Sequence, residues 1–213
     1  MNNNVQIDEN FDYTSNEKIK LYKDIFWENP WNEWFICKKC WKIYNIKFMW
    51  SCSCGEGQLE PFYRNSEVKE AFTQLSGKLW YKELIAKILN NEVWFIWWWQ
   101  TSLEQLNLDK LWLTKEQMSI LVEQISDLYL NFNFENFYYF AEIWVKNNYR
   151  WQDIAWELYR QNLEQIKASW VNYIVVRTTK KSDVPYKWFL KEWYQEIFSY
   201  NDEQDRVILV LKI

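Results

Sequence analysis

The chain has no histidine, three glycines and three prolines in 213 residues. Without histidine, a zinc-type site has to be built from the four cysteines. Glycine averages about 7% of residues, so roughly 15 are expected at this length. A globular chain with many turns still needs positive φ somewhere, and glycine is its default source. A positive charge excess is also missing: the net charge is −4 and the pI about 5.1, which argues against a broad nucleic-acid footprint. The longest apolar run, Val93–Trp99, is far short of the ~20 residues that span a bilayer. The opening MNNNVQIDEN has neither the basic nor the apolar region of a secretory signal. These absences lead to the expectation of a cytoplasmic chain with no membrane partner, whose cysteines are thiols or metal ligands rather than disulfides. The length suits one well-buried core, or one core plus a small appendage.

Tryptophan is what the chain has in excess, with 17 residues. Trp41 directly follows the cysteines of CKKC, Trp170 ends the helical stretch QNLEQIKASW, and Trp193 sits in LKEWYQ between a helical and a strand pattern. These are knuckle and helix C-cap positions, where the backbone commonly turns left-handed and a tryptophan is a steric outlier. Some bacteria read UGA as glycine, and a translation that reads it as tryptophan would yield this text. By local context, glycine belongs at 27, 34, 41, 50, 80, 94, 98, 112, 151, 156, 170 and 193, which brings glycine to 15 and tryptophan to 5. Trp31, Trp97, Trp99 and Trp188 fit as tryptophan, and Trp144 fits either way. The alternative is a truly tryptophan-rich chain, with VWFIWWWQ (93–100) as an aromatic platform for single-stranded nucleic acid.

Along the chain, NVQID (4–8) reads as an edge strand, and residues 15–27 as a helix with Ile19, Tyr22, Ile25 and Phe26 at helical spacing behind a Ser/Asn cap. Pro30 breaks it. Residues 34–57 hold all four cysteines and two of the three glycines. A helix is expected at 65–76. YKELIAKIL and EVWFIWWW read as a hairpin joined at Asn90–Asn91. Residues 102–129 are helical in pattern, with a Ser-x-x-Gln start at Ser102 and a second start, a capping box, at Thr114 and Gln117. Strand 137–146, amphipathic helix 151–168 and buried strand 171–177 follow. A short helix at 185–192 places Pro185 at its first position, and strands 194–200 and 206–213 close the chain. This order is mixed α/β with one central sheet, without internal repeats.

With glycine restored, residues 142–159 read EI-(W/G)-VKNNYRGQDIAGELY, and the chain resembles the GNAT superfamily of N-acetyltransferases. Strand, V-x-x-x-Y-R-G-x-x-I-A and helix resemble the family's pyrophosphate motif, Q/R-x-x-G-x-G/A. VGFIWG at 93–98 is similar to its third strand, FLKEGYQEI at 189–197 to its Y-x-K-x-G-F turn, and FWENPWNE to the end of its first helix. The resemblance covers nearly everything outside 34–57. It implies a GNAT-like domain in 1–33 and 58–213, with acetyl-CoA as co-substrate. The loop Arg150, Trp151, Gln152, Asp153, Ile154 and Ala155 would hold the diphosphate, since a helix N-terminus offers unpaired N–H groups and a positive dipole end. The strand backbone at Ile143, Trp144 and Val145 would take the pantetheine arm and offer an N–H to the thioester carbonyl. Glu142 would accept the acceptor amine's proton, through water. Two positions depart from the pattern. Asp153 stands where the family has glycine, and Phe189, beside the co-substrate, stands where it has the tyrosine that protonates the leaving thiolate. Tyr186, three residues earlier on the same helix face, is the substitute acid; otherwise the thiol leaves as a thiolate. Lys180 and Lys181 are candidates for the phosphates.

Cys37-x2-Cys40-x11-Cys52-x-Cys54 is read as a zinc-ribbon-like insertion over 34–57. Paired cysteines on two knuckles supply a tetrahedral, closed and structural Zn2+ site, against the alternative of free or redox thiols. Lys38, Lys39 and Lys42 give it a basic face near where family members meet their acceptor. The expected activity is acetyl transfer to a primary amine, on a small molecule or peptide, by direct attack in a ternary complex. The alternative is a catalytically degenerate binding or adaptor protein on the same fold.

Overall fold

Three of the helices begin at a side-chain cap that the sequence signals, Ser15, Ser102 and Thr114, whereas the helix after Arg64 has none. A computed structural model of the chain describes residues 5–9, 12, 15–27, 33–44, 51–55, 58–89, 91–146, 149, 153–181 and 183–213. Pro30, Trp31, Trp50, Asn90, Arg150, Trp151 and Gln152 lie outside them. In chain order the elements are β1 (Val5–Asp8), α1 (Asn16–Trp27), β2 (Phe35–Cys37), β3 (Ile43–Tyr44), β4 (Leu59–Pro61), α2 (Asn65–Ser76), β5 (Lys82–Ile88) and β6 (Asn91–Thr101). They continue with α3 (Leu103–Leu106), a π-helical turn (Asn107–Leu111), α4 (Lys115–Leu128), β7 (Phe137–Val145), α5 (Ile154–Lys167), β8 (Tyr173–Thr179), α6 (Asp183–Lys191), β9 (Gln195–Ser199) and β10 (Arg206–Lys212). The Ser102 side chain caps α3 by accepting from the Gln105 N–H, and the capping box of Thr114 and Gln117 opens α4 as its spacing predicts. Helix α6 starts two residues before Pro185 rather than at it. The proline still falls within the first turn, where N–H groups have no helical partner.

The seven strands of the larger sheet hydrogen-bond in the order β1–β5–β6–β7–β8–β10–β9. β1 is the edge strand its pattern predicts, antiparallel to β5, and β8–β10 and β10–β9 are also antiparallel. β7 and β8 are parallel, as a crossover through α5 requires. A separate three-stranded sheet runs β3–β2–β4. Among the described residues no helix is long and apolar enough to cross a membrane.

Two compact units divide the chain. The first comprises 1–77, 83–95 and 143–158. Its interior takes Ile19, Leu21, Ile25 and Phe26 from α1, Val68 and Phe72 from α2, and Leu84 to Ala86 from β5. Lys18 on α1 is fully buried, with its ammonium ion-paired to Glu83 on β5 and 4.2 Å from the centroid of the Phe72 ring. The second unit comprises 78–82, 96–142 and 159–213. Its core is Trp97 to Trp99, Phe137 to Phe140, Ile174 to Val176 and Val207 to Val210. Arg177 donates to the Lys110 carbonyl, and the Tyr200 hydroxyl to that of Leu111 at 3.1 Å. The C=O groups at the end of the π-helical turn are thereby satisfied from β8 and the segment after β9.

The buried ion pair sets a stability prediction. Lys18→Met leaves the Glu83 carboxylate without its ammonium and should cost about 3–5 kcal/mol, whereas Lys18→Met with Glu83→Leu should recover most of that loss. Urea unfolding of the two variants beside the parent checks both.

Candidate functional site

Four thiols converge in the first unit. Cys37 closes β2, Cys40 follows on the turn to β3, and Cys52 and Cys54 lie on the knuckle before β4. The turns are shaped by residues beyond each pair: the Trp41 N–H donates to the Cys37 carbonyl at 2.8 Å, and that of Gly55 to the Cys52 carbonyl at 3.0 Å. Both turn residues are left-handed, Trp41 at φ 57 and Gly55 at φ 76. The four sulfur atoms lie within 4.8 Å of one another, with Cys37–Cys54 at 3.8 Å and Cys40–Cys52 at 3.4 Å. These separations far exceed a disulfide bond of ~2.05 Å. They match the ~3.8 Å edge of a tetrahedron with Zn–S near ~2.3 Å. The Tyr44 hydroxyl lies 3.0 Å from the Cys52 sulfur, and the Cys54 N–H donates to that sulfur at 3.3 Å. Led by the Tyr44 hydroxyl, these donors lower the Cys52 thiol to about 6, favouring the thiolate form that metals bind. The chemistry and spacing of the donor set fit zinc.

The residues expected to meet acetyl-CoA fall in both units. In the first, Ile143, Trp144 and Val145 form the half-buried end of β7. The Lys146 N–H donates to the Val93 carbonyl at 3.1 Å, and the Trp144 ring stands 4.9 Å from that of Phe26. Asp153 precedes α5, and its carbonyl accepts from the Glu157 N–H at 3.1 Å. Its backbone is left-handed, φ 55, the conformation that glycine occupies freely. Ile154 is buried and Ala155 half-buried in the first turn of α5. Arg150, Trp151 and Gln152 lie outside the described residues.

In the second unit, β7 and β8 pair over Tyr138–Ile174, Tyr139–Val175 and Phe140–Val176. Among the described residues their pairing ends there, although β7 runs on to Val145. The burial pattern changes at the same place: Phe137 to Phe140 are buried, and Ala141 to Val145 only half-buried. Glu142 lies in this second stretch, near enough to Tyr139 for its charge to help keep that phenol protonated; burial is the main cause and Arg177 opposes it. Phe189 is buried, its ring 5.7 Å from Phe140 and 5.0 Å from Tyr194. Tyr186 donates its hydroxyl to Glu196 on β9 at 2.5 Å, and Lys180 pairs with the other oxygen of Glu196 at 2.6 Å. That hydrogen bond, then burial, raises the Tyr186 phenol above its ordinary value. Lys181 is exposed and donates to the Glu203 carbonyl. The structure thus gathers the four cysteines, and it engages Tyr186 with a carboxylate that sequence spacing did not indicate.

Two further residues escaped the sequence analysis. Glu33 accepts from the Tyr63 hydroxyl. Burial raises its carboxyl above the ordinary carboxylate value, partly offset by that hydrogen bond. A glutamate beside the Pro-Trp break and a tyrosine beyond the cysteines carry no local signal of their meeting.

No protein-family model matches the sequence, and no curated protein does. Solved structures do match. A putative GNAT-family acetyltransferase from Desulfovibrio desulfuricans superposes with a TM-score of 0.55 at 8% identity, covering 98% of each chain. A chain from the NatC complex bound to Gag peptide and CoA gives 0.55 at 12% identity, covering 99% of each. The PaiA N-acetyltransferase of Thermoplasma acidophilum in complex with coenzyme A gives 0.52 at 10%, covering 98% of this chain and 99% of that one. At these identities the likeness is one of fold: a mixed α/β architecture shared with GNAT acetyltransferases.

Proposed function

We propose that this chain is an acetyl-CoA-dependent N-acetyltransferase acting on a primary amine by direct attack in a ternary complex. The observation that carries the proposal is that, among the described residues, β7–β8 pairing ends at Phe140 while β7 continues for five residues. An extended pantetheine arm has the hydrogen-bonding groups to lie along β7 where the two strands part, as a further strand would. Bound acetyl-CoA would supply the activated acyl carbon. Ile143, Trp144 and Val145 would hold the arm and direct an N–H at the thioester carbonyl. Arg150, Trp151, Gln152, Asp153, Ile154 and Ala155 would hold the diphosphate at the start of α5. Glu142, half-buried, would take the proton that the amine loses. Tyr186 keeps its proton, as an acid must, but its hydroxyl is committed to Glu196 and would have to leave that carboxylate to serve the thiolate. Phe189 offers no proton and would pack beside the co-substrate.

The second reading, a binding protein on the same fold without turnover, is favoured by Phe189 and by the hold of Glu196 on Tyr186. Acetyl-CoA affinity followed by a turnover assay separates the two.

The cysteine module over 34–57 would hold one structural zinc beside this domain. The tryptophans named above would stand for glycine. Of that group, Trp41, Trp80, Trp112 and Trp193 have positive φ, between 53 and 68, a backbone that costs about 1–2 kcal/mol for most L-residues. Trp193 is 82% exposed, so its indole does not offset that cost by burial; Trp170, just past α5, is fully exposed but is not left-handed. Trp27, Trp34 and Trp98 lack this signature: the first two stack at 5.1 Å and the third is buried in β6.

Four outcomes are expected. Restoring glycine at the proposed positions, Trp151 included, should give a chain that binds acetyl-CoA in calorimetry. Asp153→Gly in that background should tighten binding several-fold, by removing like charge near the diphosphate, and should add about 1 kcal/mol of stability. No binding by either chain would remove the co-substrate assignment. Metal analysis of protein purified without chelator should find one zinc per chain, with Cys37→Ser or Cys52→Ser losing it and unfolding 34–57 locally. Sequencing the native gene should read UGA at Trp34, Trp41, Trp94, Trp98, Trp151, Trp170 and Trp193, and UGG at Trp97 and Trp188; UGG throughout would sink the recoding.

A further inference from the structure

The register of the small sheet builds a second feature. β2 and β4 pair Cys37–Leu59, Ile36–Glu60 and Phe35–Pro61. The Phe62 N–H donating to the Trp34 carbonyl at 3.0 Å continues that ladder. One step further, Glu33 faces Tyr63, whose hydroxyl it accepts. The Glu33 N–H also donates to the Phe26 carbonyl at 3.0 Å, tying this corner to the end of α1.

The surroundings are aromatic. The Tyr63 ring lies 4.7 Å from Phe62, 5.1 Å from Phe26 and 5.5 Å from Tyr22, and Tyr22 lies 4.5 Å from Phe26. Glu33 itself is half-buried. Among the described residues no lysine or arginine pairs with it, and burial holds its carboxyl above the ordinary value. A half-buried carboxylate is normally neutralised by a protein cation or tuned for a task. This one keeps lone pairs beyond its tyrosine bond, beside π faces that attract cations.

We infer that Glu33, Tyr63, Phe26 and Tyr22 form a receptor for the primary ammonium group of the acceptor, the carboxylate accepting its N–H groups and the rings lining its carbon chain. This rests on the acetyl-transfer reading and specifies its acceptor side. Phe26 touches Trp144 at 4.9 Å on the stretch of β7 assigned to the thioester. The three rings and the carboxylate remain whatever residue stands at 144. The receptor also gives the cysteine module a role beyond its own stability, because Glu33 and Tyr63 extend the two strands that the knuckles join.

Calorimetry on the full, zinc-containing chain tests it with 1,4-diaminobutane, a short lysine-free peptide with a free N-terminus, and 1-butanol. Saturable binding is expected for at least one amine, and none for the alcohol. Tighter binding of the diamine identifies a small-molecule acceptor, and tighter binding of the peptide a protein N-terminus. Glu33→Gln should weaken the preferred amine at least tenfold while zinc content and acetyl-CoA affinity stay within twofold. In the parent chain, the bound amine should shift the Tyr63 and Phe26 ring resonances, a readout independent of any variant. Absence of amine binding, alcohol binding as tight as amine, ring resonances that do not move, or equal affinity in a zinc-loaded Glu33→Gln chain would overturn the receptor. Acetyl-CoA affinity on the same samples judges the acetyl-transfer reading separately, so a chain that binds acetyl-CoA but no amine fails only here.

Discussion

Every backbone N–H and C=O removed from water must find a partner, and among the described residues the ladder between β7 and β8 meets that demand for only part of β7. Among the described residues three pairs join the parallel strands, and the side chains turn from buried to half-buried at the same point. Parallel strands need a crossover, so α5 has to begin soon after β7 ends. Its first turn then presents N–H groups with no helical acceptor. Within the first unit the Lys18–Glu83 pair under Phe72 fixes α1 against β5, and within the second Arg177 and Tyr200 fix the π-helical turn.

Backbone handedness links the turns to the composition. Asp153, Asn201 and Asp205 are left-handed, and Asp and Asn tolerate that region because short polar side chains can bond locally. Leu89 and four tryptophans share the conformation without that excuse. A chain with three glycines would be placing bulky residues where small ones relieve strain. Leu89 shows that the pattern is not confined to tryptophan, and its turn adjoins Asn90, the hairpin signal.

Much of the fold was legible because it is written locally. The caps at Ser102 and Thr114 need only three-residue spacing, and the helical stripe of α1 needs only its own side chains. The cysteine cluster was legible because knuckle spacing is itself local. The small sheet was not, since strands of three, two and three residues are too short to show an alternating pattern. Tyr186 was placed correctly on its helix, yet its carboxylate partner comes from the next strand and follows from packing. Glu33 and Tyr63 meet from 30 residues apart, by a register that spacing alone cannot set.

The turn at Asn107–Leu111 has a consequence for how this chain tolerates change in length. A π-helical turn is an α-helix that has taken in one residue too many, its bonds reaching five positions back instead of four. The surplus residue is accommodated because Arg177 and Tyr200 hold the displaced carbonyls from outside the helix. Removing one residue here would let the helix relax into ordinary α geometry, turning everything beyond it by about 100° per residue and drawing the Lys110 and Leu111 carbonyls away from their donors. The segment between β6 and β7 is therefore sensitive to deletion even though it carries no expected site residue: two side chains on distant elements count its length.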